Sequence, residues 1–333
     1  MPASEKRFGC LGVFIVVLLC LSLLFNLLFL VGELAGGLAG GPRNFREAVL
    51  TEGAPNAKAK IAVIRLSGLI SSGETGFSIG VSPDDVKQQF KQALKDSDVR
   101  AIVLAIDSPG GEVTASDDIY NIVRKARDRK KIVVSMGAMA ASGGYYAALG
   151  GSHIIARDTT FTGSIGVIMQ TLNYADLFGK VGLQMVTFKS GKMKDMLSGS
   201  RPSTPEEREY VQALVMQTYS KFVGIVAAER KISEDTLRNG VADGRVLSGK
   251  DALEAKLIDQ IGDLDDAAKK AIELGGAPGA TVVEYRAIES LGRFLHIFGK
   301  ADSSKKVEIN LGPQSSLHLQ PGRLYLLPEI LAP

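Results

Sequence analysis

The chain has 333 residues, 45% of them hydrophobic and 23% charged, so a large buried core is possible and disorder is excluded as the default state. Its 39 Lys and Arg against 36 Asp and Glu leave a net charge of +3 with the signs interleaved, which offers no sustained basic face and argues against a nucleic-acid partner. Cys10 and Cys20 both fall in the N-terminal apolar stretch, and His153, His296 and His318 are scattered. A disulfide framework, a cysteine protease and a zinc site are therefore discounted, and no cofactor is expected.

Residues 10–31 are apolar apart from Ser22 and Asn26. As a helix rising ~1.5 Å per residue, this stretch spans a bilayer core of ~30 Å. Lys6 and Arg7 before it and Glu33 after it keep the N-terminus cytoplasmic and export everything downstream. A cleaved secretory signal is the alternative, but its apolar core is usually only about 7–15 residues. Residues 1–33 thus read as terminus and anchor, and the Gly-rich residues 34–59 as a linker.

From residue 60 strand-like and helix-like patterns alternate, the signature of βα units around a mainly parallel sheet. Strands are expected at 61–66, 100–106, 132–135, 153–156, 165–169 and 184–188, and helices at 83–95, 114–129 and just after Ser142. Residues 172–180 are amphipathic. Thr204 with Pro205 announces a long helix to about residue 230, followed by helices at 234–239, 249–256 and 264–274 and a small strand or turn at 242–246. Residues 281–285 form a lone strand-like run, and residues 276–333 read as a peripheral extension without an assigned role.

The stretch Met139-Ala140-Ala141-Ser142-Gly143-Gly144-Tyr145-Tyr146 ends an apolar run with one hydroxyl among small residues, at the start of a helix. Ser142 is a candidate nucleophile there, or simply the helix N-cap. No histidine lies between His153 and His296 to serve as its base, and His153 reads as structural. Lysine is the alternative, and residues 188–197 offer Lys189, Lys192 and Lys194 among Gly and apolar residues. A lysine base must fall from a pKa near 10.4 to ~7–8, which takes desolvation at about 1.4 kcal/mol per unit. Lys194, flanked by Met193 and Met196, is best placed and Lys189 is the reserve, while a solvated surface lysine is the plain alternative for each. Ser164, between Gly163 and Ile165, could orient a neutral amine or be a turn residue. Gly110 and Gly111, after Asp107-Ser108-Pro109, could present N–H groups to an oxyanion or simply turn the chain.

Taken in order, Asp107-Ser108-Pro109-Gly110-Gly111, the Met139–Tyr146 stretch, Thr162-Gly163-Ser164-Ile165-Gly166-Val167 and Lys189-Ser190-Gly191-Lys192-Met193-Lys194-Asp195 resemble the signal peptide peptidase A family in its short, single-domain bacterial form. The resemblance covers about residues 60–275, which would be the serine–lysine peptidase domain. It implies a crotonase-like, Clp protease-like α/β fold with an N-terminal transmembrane helix in the cell membrane and an extracytoplasmic catalytic domain. On this chain it implies Ser142 as nucleophile, Lys194 as base, Ser164 positioning the amine, and Gly110 or Gly111 in the oxyanion hole. It also implies apolar peptide substrates, chiefly remnant signal peptides, and a homo-oligomer with active sites near protomer interfaces. Two rivals share the fold: an acyl-CoA hydratase-like enzyme, disfavoured by export, and a catalytically inactive membrane scaffold.

Overall fold

Parallel strands covered on both faces need apolar residues at nearly every position, and three runs of this chain supply them: Lys60–Ser67, Val99–Ser108 and Lys131–Ala141, all largely buried. The computed structural model describes residues 15, 17–24, 26–27, 45–72, 80–287 and 325–326. In chain order the first half comprises β1 (Phe45–Thr51), β2 (Lys60–Ser67), β3 (Leu69–Ile70), β4 (Gly80–Val81), α1 (Pro83–Lys95), β5 (Val99–Ser108), β6 (Gly111–Glu112), α2 (Val113–Arg127) and β7 (Lys131–Ala141). There follow α3 (Gly143–Ala148), β8 (His153–Ala156), β9 (Phe161–Gly163), α4 (Ala175–Lys180), α5 (Pro205–Arg230) and α6 (Glu234–Arg238). The last elements are β10 (Val246–Ser248), α7 (Gly249–Glu254), β11 (Gln260–Ile261), α8 (Leu264–Gly275), β12 (Thr281–Ala287) and β13 (Tyr325–Leu326).

The main sheet runs β1-β12-β2-β5-β7-β8-β11, and every pair from β12 to β11 is parallel. Side chains alternate along each strand, so two cores form. Ile64, Leu66, Leu104 and Ile106 face Val86 and Phe90 of α1 and Ile119 and Val123 of α2. Ile61, Val63, Val103 and Val133 face Ala267 and Ala271 of α8. A small second sheet, β13-β6-β3-β4, lies at the ends of β2 and β5, where the chain leaves the main sheet.

Local chemistry sets the helix starts. Ser82 accepts from the Asp85 N–H at 3.2 Å ahead of Pro83, and Thr204 forms a capping box with Glu207 ahead of Pro205. Both helices begin where the sequence places them, and α5 ends at Arg230. The C-terminal half of α2 is tied to α5 by Glu229, which accepts from the Tyr120 hydroxyl and an Arg127 nitrogen, each at 2.8 Å. Burial, then the Glu229 carboxylate, pushes the Tyr120 phenol up to about 12.

Several expected elements fall elsewhere. The strand expected at 165–169 is instead β9, because Gly163 and Ser164 take φ of +70° and +50° and end the extended run; Ile168 makes only an isolated bridge to Tyr325. Residues 184–188 alternate like a strand but pair with nothing among the described residues, and Phe188 is 95% exposed. Phe45–Thr51, inside the expected linker, is a strand on the sheet edge. The run after residue 280 is not a lone strand: β12 lies beside β2, with Thr281 opposite Lys60.

In a separate unit of the chain, residues 17–24 are helical, with Leu19 and Leu23 exposed, and the Asn26 amide donates to the Ser22 carbonyl at 2.7 Å. Among the described residues no helix is long and apolar enough to cross a membrane. The ends of the expected span 10–31 lie outside the described residues, as does most of 288–333.

Candidate active site

In an open parallel sheet, sites form at the carboxyl ends of the strands, and Ser142 immediately follows Ala141, the last residue of β7. Ser142 stands at the N-cap position of α3 with φ 52° and ψ −111°, outside the usual regions for a residue with a side chain. Such a strained strand-to-helix turn is how hydrolase folds present a nucleophilic serine. The capping alternative fails on geometry, since the Ser142 side chain makes no cap hydrogen bond. Its Oγ is buried and has no hydrogen-bond partner among the described residues. Buried polar atoms without a partner are rare and call for an explanation.

The turn is held from three sides. Thr162 of β9 continues the ladder opposite Ala140, its hydroxyl donates to the Ala140 carbonyl at 2.7 Å, and the Ser142 N–H donates to the Gly163 carbonyl at 2.8 Å. On the helix side, Tyr145 donates to the Leu257 carbonyl at 2.9 Å and Tyr146 to Asp117 Oδ1 at 2.7 Å. Burial drives both phenols well above their ordinary range, so they remain protonated donors. Tyr146 also packs edge-on against Tyr120, with centroids 5.6 Å apart.

On the third side is the Pro109-Gly110-Gly111 turn. Gly110 has φ +105°, and a Cβ there would overlap the Leu326 carbonyl and stand 2.6 Å from the Gly143 nitrogen. Only glycine lets this backbone lie against the start of α3. Gly143 and Gly144 open α3, so their N–H groups lack intrahelical acceptors. The structure thus brings Gly110 and Gly111 beside Ser142 and its helix start.

Ser164 follows Gly163, so it comes one step beyond the last β9 partner of β7, just as Ser142 does on the other strand. Its backbone N–H donates to the Arg245 carbonyl at 2.8 Å, it is almost fully buried, and its hydroxyl makes no hydrogen bond among the described residues. Lys194 is not brought to this hydroxyl pair by hydrogen bonding: it is exposed, with no ion pair or hydrogen bond of its amine among the described residues. Lys189 is occupied, donating to Asp195 Oδ1 at 2.7 Å, and Lys192 pairs with Glu206 at 2.7 Å. His153 meets Gln260 at 3.3 Å at the start of β8, as a structural histidine would.

Sequence reasoning missed the neighbour that closes the Gly110 turn, Tyr325–Leu326. They pair antiparallel with Gly111–Glu112, with Leu326 fully buried. Nothing local marks such a distant partner. A cavity of about 470 Å³ lies at the other end of β7, lined by Arg127, Lys131, Glu229 and Arg230. Its guanidinium groups are paired with Glu229 and Asp259, and it does not include the Ser142 turn.

Residues 124–277 match the model of peptidase family S49, and residues 83–160 match that of Clp protease. The chain is 36% identical over 252 residues to "Putative signal peptide peptidase SppA" of Enterococcus faecium, covering 74% of this chain and 72% of that protein. It belongs to peptidase family S49. An S49 chain of this kind is a serine peptidase of the signal peptide peptidase A type, on a Clp protease-like α/β fold. A "Putative protease" of Synechocystis is 38% identical over 224 residues, covering 66% of this chain and 76% of the relative. "Protease 4" of Salmonella typhi is 37% identical over 216 residues, covering 64% of this chain but 34% of that longer relative.

Proposed function

We propose that this S49 peptidase is a membrane-anchored endopeptidase that cleaves remnant signal peptides with Ser142 as nucleophile and Lys194 as general base. The observation that carries the reading is the Ser142 hydroxyl, buried and unpartnered on a strained turn. A nucleophile awaiting its base accounts for both features.

In this mechanism the neutral Lys194 amine takes the Ser142 proton as Oγ bonds to the scissile carbonyl carbon. Backbone N–H groups at Gly143 and Gly111 receive the oxyanion, since the Gly110 N–H already donates to Ser108 Oγ at 3.1 Å; one such donor is worth on the order of 3 kcal/mol in the barrier. The lysine ammonium then gives its proton to the leaving amine, and water, deprotonated by the same amine, hydrolyses the acyl-serine. Ser164, its hydroxyl uncommitted, accepts from the amine and aims its lone pair at Ser142.

A lysine base must be desolvated, and Lys194 is exposed in a single chain. A homo-oligomer supplies the burial. In support, residues 172–188 just upstream expose Leu172, Val181, Leu183, Val186 and Phe188, an apolar run that a neighbouring protomer would cover. Apolar peptides are the substrates of this reading; they do not add to β6, which has β3 on one side and Tyr325–Leu326 on the other.

Anchoring is supported by the apolar span 10–31, by the exposed leucines of its helical residues, and by the Asn26–Ser22 hydrogen bond that satisfies its polar side chain. Lys6 and Arg7 keep the N-terminus cytoplasmic and the peptidase outside. An anchor confines enzyme and apolar peptide to one layer and raises their effective concentration. The test is hydrolysis of a synthetic signal peptide by the full chain in lipid: Ser142→Ala and Lys194→Ala should each abolish it while the oligomer persists. Retained cleavage in Ser142→Ala would refute the reading.

A further inference from the structure

The segment that carries Lys194 has little core to hold it, and its order comes from charge. Asp195 accepts from Arg201 through both oxygens, at 2.7 Å from one terminal nitrogen and 2.9 Å from Nε, and from Lys189 at 2.7 Å. The same guanidinium reaches Glu207, with Oε2 at 2.9 Å from its other terminal nitrogen. Glu207 in turn closes the capping box of α5, accepting from the Thr204 N–H at 2.8 Å. A planar guanidinium is suited to such double carboxylate recognition, which a lysine cannot reproduce.

The charged groups around Lys194 divide unevenly. On its own segment are Lys189, Lys192 and Asp195; from the loop and the first turn of α5 come Arg201, Glu206, Glu207 and Arg208. Asp195 is taken by Arg201 and Lys189, Glu207 by Arg201, and Glu206 by Lys192, while Arg208 donates to the Ser203 carbonyl. Each nearby carboxylate has a cation, and none of those cations is Lys194.

We infer that Arg201 is a positioning residue of the peptidase site: by occupying both oxygens of Asp195 it keeps that carboxylate off the adjacent Lys194 and leaves the amine free to serve as base. This rests on Lys194 as the base. An anion paired with a lysine favours its charged form, and a charged lysine cannot take the serine proton. The hydrogen bonds of Arg201, then those of Lys189, hold the Asp195 carboxyl well below the usual carboxylate range. The carboxylate therefore stays ionised at any working pH, and without Arg201 only Lys189 would hold it, at Oδ1, leaving Oδ2 to turn toward Lys194.

The experiment is the pH dependence of kcat/KM for an apolar peptide, on the full-length oligomer in lipid. Arg201→Gln should move the ascending limb toward alkaline pH by about one unit while keeping the plateau rate within a few-fold. Adding Asp195→Asn should bring the limb back, because the released carboxylate is gone. Arg201→Lys, which keeps the charge but not the fork, should move it less. Glu207→Gln, which loosens the same staple to α5 without freeing Asp195, should leave the limb in place.

A uniform loss at every pH in Arg201→Gln, an unrestored limb in the double variant, or an equal shift in Glu207→Gln would each overturn the inference in favour of a structural role. Should Arg201→Gln not assemble, Arg201→Lys with and without Asp195→Asn gives the same comparison, and no shift between them would overturn it. The base itself is tested apart: Lys194→Ala that stays active removes the underlying reading, whereas an inactive Lys194→Ala with an unmoved limb in Arg201→Gln removes only the role of Arg201.

Discussion

The backbone N–H of Ser142 donates to the carbonyl of Gly163 at 2.8 Å, which fastens the turn that carries the unpartnered Ser142 hydroxyl to the turn that carries Ser164. Ser142 and Ser164 both sit at φ near +50° (52° and 50°), each one residue past the end of its strand. The two turns, joined by that Ser142–Gly163 hydrogen bond, form a rigid corner. In the proposed mechanism the Lys194 amine enters that corner.

Ser164→Ala tests the corner directly. Its hydroxyl makes no hydrogen bond among the described residues, so its removal should leave the melting temperature within a degree or two. If Ser164 aims the base, kcat should fall about tenfold to a hundredfold with KM little changed, read by steady-state kinetics on one peptide.

Gly143→Ala should damage both stability and rate. A Cβ there would overlap the Ser116 hydroxyl and stand 3.0 Å from the Gly111 nitrogen, so α3 must shift away from the Gly110 turn. Overpacking of this kind costs about 1–3 kcal/mol, measurable by denaturant unfolding, and the displaced helix start should lower kcat more than it raises KM.

Tyr145→Phe removes the donor to the Leu257 carbonyl at 2.9 Å deep in the core. Leaving that acceptor without its partner should cost about 1–3 kcal/mol in unfolding free energy. A smaller loss in kcat is expected, because α3 keeps its other tie through Tyr146 and Asp117.

Acid should release the Lys194 segment before the core. Arg201, then the Thr204 N–H, lowers the Glu207 carboxyl to about 2, and Asp195 is lowered further in the same direction, chiefly by Arg201. A carboxylate depressed in the folded state stabilises it above its unfolded value, near 4, and that contribution is lost as pH falls toward the folded value. Peptide-resolved hydrogen exchange across residues 189–207, corrected for intrinsic rates, should show protection declining from about pH 4 to pH 2 while β5 and β7 remain protected.

Much of the fold was legible because its signals are local. The Ser82–Pro83 and Thr204–Pro205 starts fix α1 and α5, and the β-branched runs of β5 and β7 allow only buried strands. What escaped depends on distant pairing. Residues 184–188 alternate as a strand does, yet alternation cannot say whether a partner strand is present in the same chain. Conversely, β1 falls in the expected linker, and the strand-like run at 281–285 gave no sign of its partner; both join the sheet because its edge beside β2 is there to receive them. Of the proposed site, Ser142, Ser164 and Gly110 announced themselves through small neighbours, since only small residues let backbones approach this closely. Arg201 did not, because a guanidinium in a polar loop looks like any solvated cation until its two carboxylates are located.

The most direct measurement is covalent labelling of the assembled enzyme with a serine-reactive phosphonate across pH, with the modified peptide mapped by mass spectrometry. A serine–lysine mechanism requires the label on Ser142 alone, at a rate that climbs with pH and collapses in Lys194→Ala. A label on another serine, or undiminished labelling of Ser142 once Lys194 is removed, would contradict it.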